Sequence, residues 1–354
     1  MKDPVLETLF LPFSAGDLDW PEGEKVLFLR ARMSDALKDA TAGTVDIVQS
    51  FAPHAVSLEK AGFEVKRQLQ DENARYPLVL VLPPRQREEA RTLLATAFAH
   101  AAPGGMVVAC QSNTEGARTL EHDIERLAGA AASRSKHKAR AVWATADRAR
   151  LDFELIAEWR LLDAPRPIGD GRFVSRPGLF AWDRLDAGTA TLAANLPASL
   201  KGRAADLGAG YGALADALLA RAPKITALDL YEAEDRALEL CRQNLAPYLL
   251  PTDGSARDLQ FYWRDVTTGL VRRDYDVIVS NPPFHEGRAD RADIGQAFIR
   301  AAAFGLKPGG EFWLVANRHL PYEATLGEHF ASVTTVAESE GYKVIRAARP
   351  KARR

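Results

Sequence analysis

Asn281-Pro282-Pro283-Phe284 is the stretch of this chain whose residue types match a definite chemistry. It follows Tyr275-Asp276-Val277-Ile278-Val279-Ser280, which reads as a strand. The Asn281 side-chain carbonyl and the rigid backbone carbonyl of Pro282 can each accept a hydrogen bond from one NH2 group. The Phe284 ring can stack on the flat system that carries that group. Two acceptors hold the N–H bonds out of the ring plane, which localises the nitrogen lone pair and aims it. The chemistry is methylation of a planar amine, and positioning of this kind supplies up to roughly 7–11 kcal/mol of a barrier in ideal cases. A nucleobase must be unstacked or flipped to reach such a turn. The amine becomes a strong acid after transfer and loses its proton to water, so no dedicated base is required. His285 is read as orienting the turn or contacting RNA, and Pro283 as a substrate contact.

A methyl donor needs its own site. Asp206-Leu207-Gly208-Ala209-Gly210-Tyr211-Gly212 is a strand-end carboxylate followed by a glycine turn into a helix. Glycines at 208, 210 and 212 allow a backbone to approach a ligand closely. Gly208-x-Gly210-x-x-Ala213 also fits the relaxed dinucleotide fingerprint of a dehydrogenase. A dehydrogenase turn cradles an anionic pyrophosphate, which Asp206 would repel. The same carboxylate suits S-adenosylmethionine, whose sulfonium and amino group are cationic. The next strand should end in an acid that holds the ribose hydroxyls. Glu232, twelve residues before Asn244, is favoured, and Asp229 is the second candidate. Asp265, after a third strand, is placed to accept the adenine amino proton, with Val266 packing on the ring.

The elements that must position these residues alternate. Strands are expected at 204–207, 225–230, 259–263, 276–280 and 311–316, with helices at about 213–222, 234–245 and 294–304. That order indicates a parallel, doubly wound sheet with its ligand loops along one edge. The N-terminal half repeats the later part of it. Strand Tyr76–Leu82 ends in Pro83-Pro84, a helix runs from about Arg87 to His100, and Ala102-Pro103-Gly104-Gly105 leads into Met106–Cys110. Strand, Pro-Pro, helix, Pro-Gly-Gly, strand thus appears twice, as an internal duplication would produce. The first copy has Leu82 for Asn281 and Arg85 for Phe284, and its first strand, Lys25–Leu29, runs into Arg30-Ala31-Arg32 without a glycine turn. It reads as a degenerate copy that kept its fold and lost the chemistry. Domains are expected at 1–162 and 178–354, joined by a Pro- and Gly-rich linker over 163–177.

At 354 residues two cores are the default. No long apolar stretch, secretory signal or metal-ligand spacing is present, and Cys110 and Cys241 fall in different domains; a cytoplasmic protein, a monomer without metal, is expected. A formal net charge of −1 excludes a broadly basic nucleic-acid surface, so positive charge for RNA must be local. Lys136, Lys138 and Arg140 are candidates, as is the tail from Arg346.

The chain resembles the class I S-adenosylmethionine-dependent methyltransferases. Within them it is similar to the bacterial ribosomal RNA guanine-N2 methyltransferases of the small-subunit methyltransferase C type. The resemblance rests on the degenerate first copy, Arg176-Pro177-Gly178-Leu179-Phe180, Leu185-Asp186-Ala187-Gly188-Thr189, Asp206 to Gly212, Asn281 to His285 and Val315 to Tyr322. It implies two tandem Rossmann-like methyltransferase domains, the first degenerate and serving structure and RNA recognition. It implies transfer of a methyl group from S-adenosylmethionine to the exocyclic N2 of a guanine in 16S rRNA or a small subunit. By analogy Phe180 and Gly188 join the cofactor candidates, and Asn281 serves both ligands. Ala181 departs from the Ser that relatives often carry after the aromatic. Rival readings are a 23S rRNA enzyme, a protein-glutamine methyltransferase, a dehydrogenase, and a non-catalytic RNA-binding assembly factor with a relict pocket.

Overall fold

The computed structural model describes residues 3–39, 44–249, 257–283, 285–286, 289–290 and 292–351. The chain divides into two compact units, Met1–Pro165 with Arg176–Gly178, and Arg166–Ser175 with Leu179–Arg354. The first is built on β1 (Val26–Leu29), β2 (Val45–Val48), β3 (Val65–Lys66), β4 (Tyr76–Val81), β5 (Ala101–Ser112), β6 (Ala132–Lys136) and β7 (Ala139–Thr145). They lie in the order β3-β2-β1-β4-β5-β7-β6. The second unit opens with a hairpin of β8 (Arg166–Ile168) and β9 (Phe173–Ser175). There follow β10 (Lys201–Leu207), β11 (Lys224–Glu232), β12 (Asp258–Trp263), β13 (Tyr275–Ser280), a short hairpin of β14 (His285–Glu286) and β15 (Ala289–Asp290), β16 (Leu306–Asn317), β17 (Phe330–Ser339) and β18 (Tyr342–Pro350). Its main sheet runs β12-β11-β10-β13-β16-β18-β17, the same order as the first.

Both sheets are mixed. The expected parallel strands are present, but β7 and β18 return antiparallel to β5 and β16, each carrying an antiparallel edge partner. The central strands are almost continuously apolar because helices cover both faces. In the first unit Leu27, Val79 and Val107 point to one face and Phe28, Leu80 and Val108 to the other. In the second, Leu228, Val277 and Val315 oppose Ile278, Phe312 and Leu314.

The two Pro-Gly-Gly segments do more than stop helices, because each is a bulge inside the following strand. Pairing jumps from Tyr76–Ala101 to Leu78–Met106, and from Tyr275–Leu306 to Val277–Glu311. A Cβ on Gly105 would lie 3.0 Å from the Tyr76 carbonyl oxygen, and one on Gly310 would lie 3.1 Å from that of Tyr275. Only glycine allows this approach, and it recurs in both units.

The segment 163–177 is not open chain. Its β8–β9 hairpin packs into the second unit, where Asn244 donates to the carbonyls of Val174 and Tyr211 at 3.0 and 2.8 Å and accepts from the Val174 amide at 2.8 Å. Asn244 thereby ties the hairpin to the glycine turn.

At the opposite end of β10, Gly202 has φ +85° and its Cβ position overlaps the Asp276 carboxylate. That carboxylate accepts from the Arg203 amide at 2.9 Å and from Lys307 at 3.0 Å. Gly202→Ala should therefore cost about 1–3 kcal/mol, read as a lowered midpoint in chemical denaturation. An unchanged midpoint would count against this packing.

Candidate active site

Strands β10, β11 and β13 end side by side, Leu207 pairing with Tyr231 and with Ser280. The Ser280 hydroxyl donates to the Leu207 carbonyl at 2.7 Å, which locks the two loops that follow. The glycine turn folds back over β11, with the Gly208 and Ala209 amides donating to the Tyr231 carbonyl at 2.9 and 3.0 Å. Gly208, Gly210 and Gly212 all lie in the left-handed region, at φ 76°, 55° and 95°. A side chain on Gly212 would sit 3.0 Å from the Cys241 sulfur, whereas the space beyond Gly210 is open. Gly210 is thus the point at which an outside group can reach the backbone.

Asp206 is fully buried, and among the described residues neither of its carboxylate oxygens has a hydrogen-bond partner of ordinary geometry. The Ala215 amide, in the first turn of helix Ala213–Arg221, gives only weak relief. Burial, followed by the neighbouring Glu232, pushes the Asp206 carboxyl up to about 8. An unpaired buried carboxyl is costly, and a cationic ligand is what would relieve it. The donor set therefore fits a ligand carrying positive charge and does not fit a pyrophosphate.

Of the two candidates for the ribose, Glu232 is at the turn. It accepts from the Gly210 amide at 2.8 Å and from the Glu234 amide at 2.9 Å, and burial among these groups raises its pKa although part of its surface is open. Asp229 is not brought to the turn. It is buried lower on β11, accepting from the Tyr275 hydroxyl at 2.6 Å and pairing with Arg203 at 3.5 Å and Arg272 at 3.3 Å. Val266 likewise lies in the apolar cluster with Tyr231 and Tyr275, 3% exposed, which leaves it little surface for a ligand ring. Asp265 caps the short 3-10 turn Val266–Thr268 through the Thr267 amide at 2.8 Å. Phe180 is 61% exposed. Gly188 sits in the first turn of helix Ala187–Asn195, where a Cβ would press on the Tyr342 ring.

Asn281 shows how the turn works. Its amide nitrogen donates to Asp186 Oδ2 at 2.8 Å and to Thr189 Oγ1 at 2.9 Å. A carboxylate only accepts, so the orientation of the amide is fixed by chemistry. Its carbonyl oxygen is buried and has no partner among the described residues. Asp186 is in turn the N-cap of its helix, accepting from the Thr189 amide at 2.7 Å. Asp186 and Thr189 were not among the expected site residues; the Asp-x-x-Thr spacing before an apolar helix is the signal that marks such a cap. Pro282 is buried and Pro283 exposed. Phe284 lies outside the described residues, and His285 is placed by its backbone in β14.

Lys136 and Lys138 project from the β6–β7 hairpin, whose tight turn puts His137 and Lys138 at φ 52° and 56°. Arg140 is committed to Glu121 and to Ser135 at 3.2 Å. Among the described residues no group of His, Cys, Asp or Glu is arranged to hold a metal, and no helix is long and apolar enough to cross a membrane.

An acid-ended central strand, a glycine turn and an Asn-Pro-Pro turn on neighbouring strands of this sheet define a class I methyltransferase. The "Methyltransferase small domain" family model matches residues 170–346. The Ribosomal RNA small subunit methyltransferase C of Shewanella halifaxensis is 31% identical over 272 residues, 76% of each chain. That of Shewanella amazonensis is 32% identical over 297 residues, 80% of this chain and 81% of the relative. The chain belongs to the ribosomal RNA small subunit methyltransferase C family. Among solved structures, the Thermus thermophilus 16S rRNA N2 G1207 methyltransferase RsmC, in complex with AdoMet and guanosine, superposes with a TM-score of 0.78 at 25% identity. The match covers 98% of this chain and 92% of that one.

Asp206 makes the stability of the ligand-free protein depend on pH. Its folded pKa, near 8, lies above the roughly 3.9 of an unfolded aspartate. Between these values the folded chain holds a proton that the unfolded chain has lost, so stability falls as pH rises through the window. The loss is on the order of a few kcal/mol. Asp206→Asn should flatten that decline in thermal melts taken from pH 5 to 8. Parallel wild-type and variant curves would refute it.

Proposed function

We propose that this chain transfers a methyl group from S-adenosylmethionine to the exocyclic N2 of a guanine in 16S rRNA. The observation that carries this reading is the buried, unpartnered Asn281 carbonyl oxygen, held in a fixed direction by Asp186 and Thr189. A free acceptor at a turn of this type is what an amino group requires. The structural relative with AdoMet and guanosine, and the curated relatives named for the small-subunit RNA, supply the donor and the target.

When bound, S-adenosylmethionine supplies the methyl group as an electrophile. Asp206 favours its positive charge, Gly210 gives backbone access, and Glu232 is placed to take the ribose hydroxyls by exchanging the Gly210 amide for them. Asn281 Oδ1 and the Pro282 carbonyl accept the two N–H bonds of the guanine amine and turn its lone pair out of conjugation. Phe284 stacks on the base, with Pro283 and His285 beside it. The N–C bond forms as the S–C bond breaks, and the amine proton leaves to water. The first unit serves structure and RNA recognition, the working form is a monomer in the cytoplasm, and naked 16S rRNA or a small-subunit particle is the substrate.

The test is mass-spectrometric mapping of methyl groups on both rRNAs after incubation with enzyme and cofactor; methylation confined to 23S rRNA, or absent from both, would sink the proposal. Asn281→Ala should lower kcat at least a hundredfold, about 2.7 kcal/mol of barrier, with cofactor affinity nearly intact. Asp186→Ala should lower kcat in the same direction and Asp186→Asn, which still offers an acceptor, should restore part of it. Near-wild-type turnover in Asn281→Ala would remove the role given to this residue.

A further inference from the structure

The first unit keeps the scaffold of the site but not its charges. Strand register fixes the correspondence between the copies. Leu29 pairs with Val81 and Val48 as Leu207 pairs with Ser280 and Tyr231. Counting outward, Phe28 stands where the second unit has Asp206, Arg30 where it has Gly208, Arg32 where it has Gly210, and Gln49 where it has Glu232. The Pro-Pro turns align Arg85 with Phe284. Formal charge over these positions goes from −2 in the second unit to +3 in the first.

The backbone path survives this exchange. Arg30 takes the left-handed conformation of Gly208, at φ 53° against 76°. Gln49 Oε1 accepts from the Phe51 amide at 2.9 Å, two residues on, as Glu232 accepts from that of Glu234. Its amide nitrogen donates to the Ala31 carbonyl at 2.6 Å, so the loop after β1 is held without glycines. A left-handed arginine is conformationally unfavourable, so the fold maintains a cation here at a cost.

The cations are accessible. The Arg30 and Arg32 side chains are 33% and 30% exposed, and Arg85 is exposed. Arg30 lies 3.8 Å from Glu89 and Arg32 3.0 Å from Asp3, whereas Arg85 has no ion pair among the described residues. His54, on the helix after β2, has its pKa pushed down to about 4, first by burial and then by Arg32 and Arg30, with Asp3 acting the other way. The Phe51 ring meets His54 edge-on at 5.3 Å.

An edge of this charge repels a sulfonium and attracts phosphate, to which the planar guanidinium fork is matched. With a formal net charge of −1 the chain has no diffuse attraction for a polyanion, so contacts to phosphate must be concentrated. We propose that Arg30, Arg32 and Arg85, at the ligand edge of the first sheet, bind the phosphodiester backbone of the RNA substrate. The relict cofactor edge has thus become a substrate-holding site. This rests on the reading of the chain as an rRNA methyltransferase.

The test uses the full-length protein and a 16S rRNA transcript, with binding read by filter retention across a salt series. Arg85→Glu and the double variant Arg32→Gln/Arg85→Glu should each weaken binding by tenfold or more. The slope of log affinity against log salt should become shallower by about 1 per arginine replaced. KM for RNA should rise while kcat and cofactor affinity hold. Arg85 is exposed, so its variant remains informative if the double variant fails to fold. Unchanged affinity and slope in a folded Arg85→Glu protein would overturn the proposal. So would loss of RNA binding to millimolar adenosine monophosphate in wild type alone, which would mark a mononucleotide pocket. Because binding is read without turnover, a wild type that binds rRNA but methylates none of it overturns the functional reading alone.

Discussion

The hydrogen bond from Asn281 to Asp186 is the contact on which the site depends. It joins residues 95 apart in sequence, one at the end of β13 and one capping a helix that precedes β10. An asparagine amide has two faces of similar shape, and a free one samples both. Here the carboxylate admits only the NH2 end, and Thr189 takes the second N–H. The carbonyl oxygen is consequently presented in one direction, already desolvated, before any amine arrives. Orientation of this kind, set before a substrate binds, is what the role proposed for the turn requires.

Two aspartates on adjacent strands show how burial separates structure from function. Asp206 and Asp229 are both fully buried. Asp229 is satisfied by Tyr275, Arg203 and Arg272, and the Tyr231–Tyr275 hydroxyl pair, 2.7 Å apart, extends the network beneath the sheet. Asp206 has no such partners, and its carboxyl is driven toward the neutral form. The first pattern belongs to a residue whose work is done on folding. The second leaves a carboxyl that is relieved by taking up a proton or by a neighbouring cation, and marks a residue whose burial the fold alone does not explain.

Local sequence made much of this visible. Alternation of apolar strands with helices gave the layer order, the Asn-Pro-Pro turn gave the chemistry, and the glycine turn gave the cofactor edge. What it left open depended on contacts between distant residues. Glu232 and Asp229 are equivalent as letters, and only Arg203, Arg272 and Tyr275 withdraw Asp229 from the turn. Val266 follows a plausible strand-end acid, but the Tyr231 and Tyr275 rings claim it for the core. Asn244 stands twelve residues after Glu232 in sequence, but its partners are Val174 and Tyr211, which anchor the Pro- and Gly-rich stretch as a hairpin. The antiparallel β7 and β18 are not legible locally, because a returning strand differs from a parallel one in direction, which composition does not record. Pro-Gly-Gly between a helix and a strand shows a break in the chain, while its place as a bulge inside the strand emerges only from the register of the neighbouring strand.

The comparison of the two copies separates residues that maintain the fold from those that maintain the chemistry, even where they are neighbours in one turn. Pro-Pro after the fourth strand recurs in sequence, and the glycine bulge at the start of the fifth recurs with the same register shift, because it solves a problem of backbone packing that both sheets share. The first copy has Phe28 for Asp206 and Leu82 for Asn281, and keeps at Gln49 the backbone contact of Glu232 without its charge. A turn that needs the left-handed conformation can hold it with glycine or, at a cost, with Arg30. At Gly208 itself a Cβ would press on the Phe298 ring, whereas the first copy accommodates the whole Arg30 side chain and with it a charge. Once a copy no longer has to admit a cation, selection on the same backbone is free to invert the electrostatics of its edge. In an enzyme whose overall charge is close to neutral, that inverted edge is where attraction for a polyanionic substrate can be concentrated.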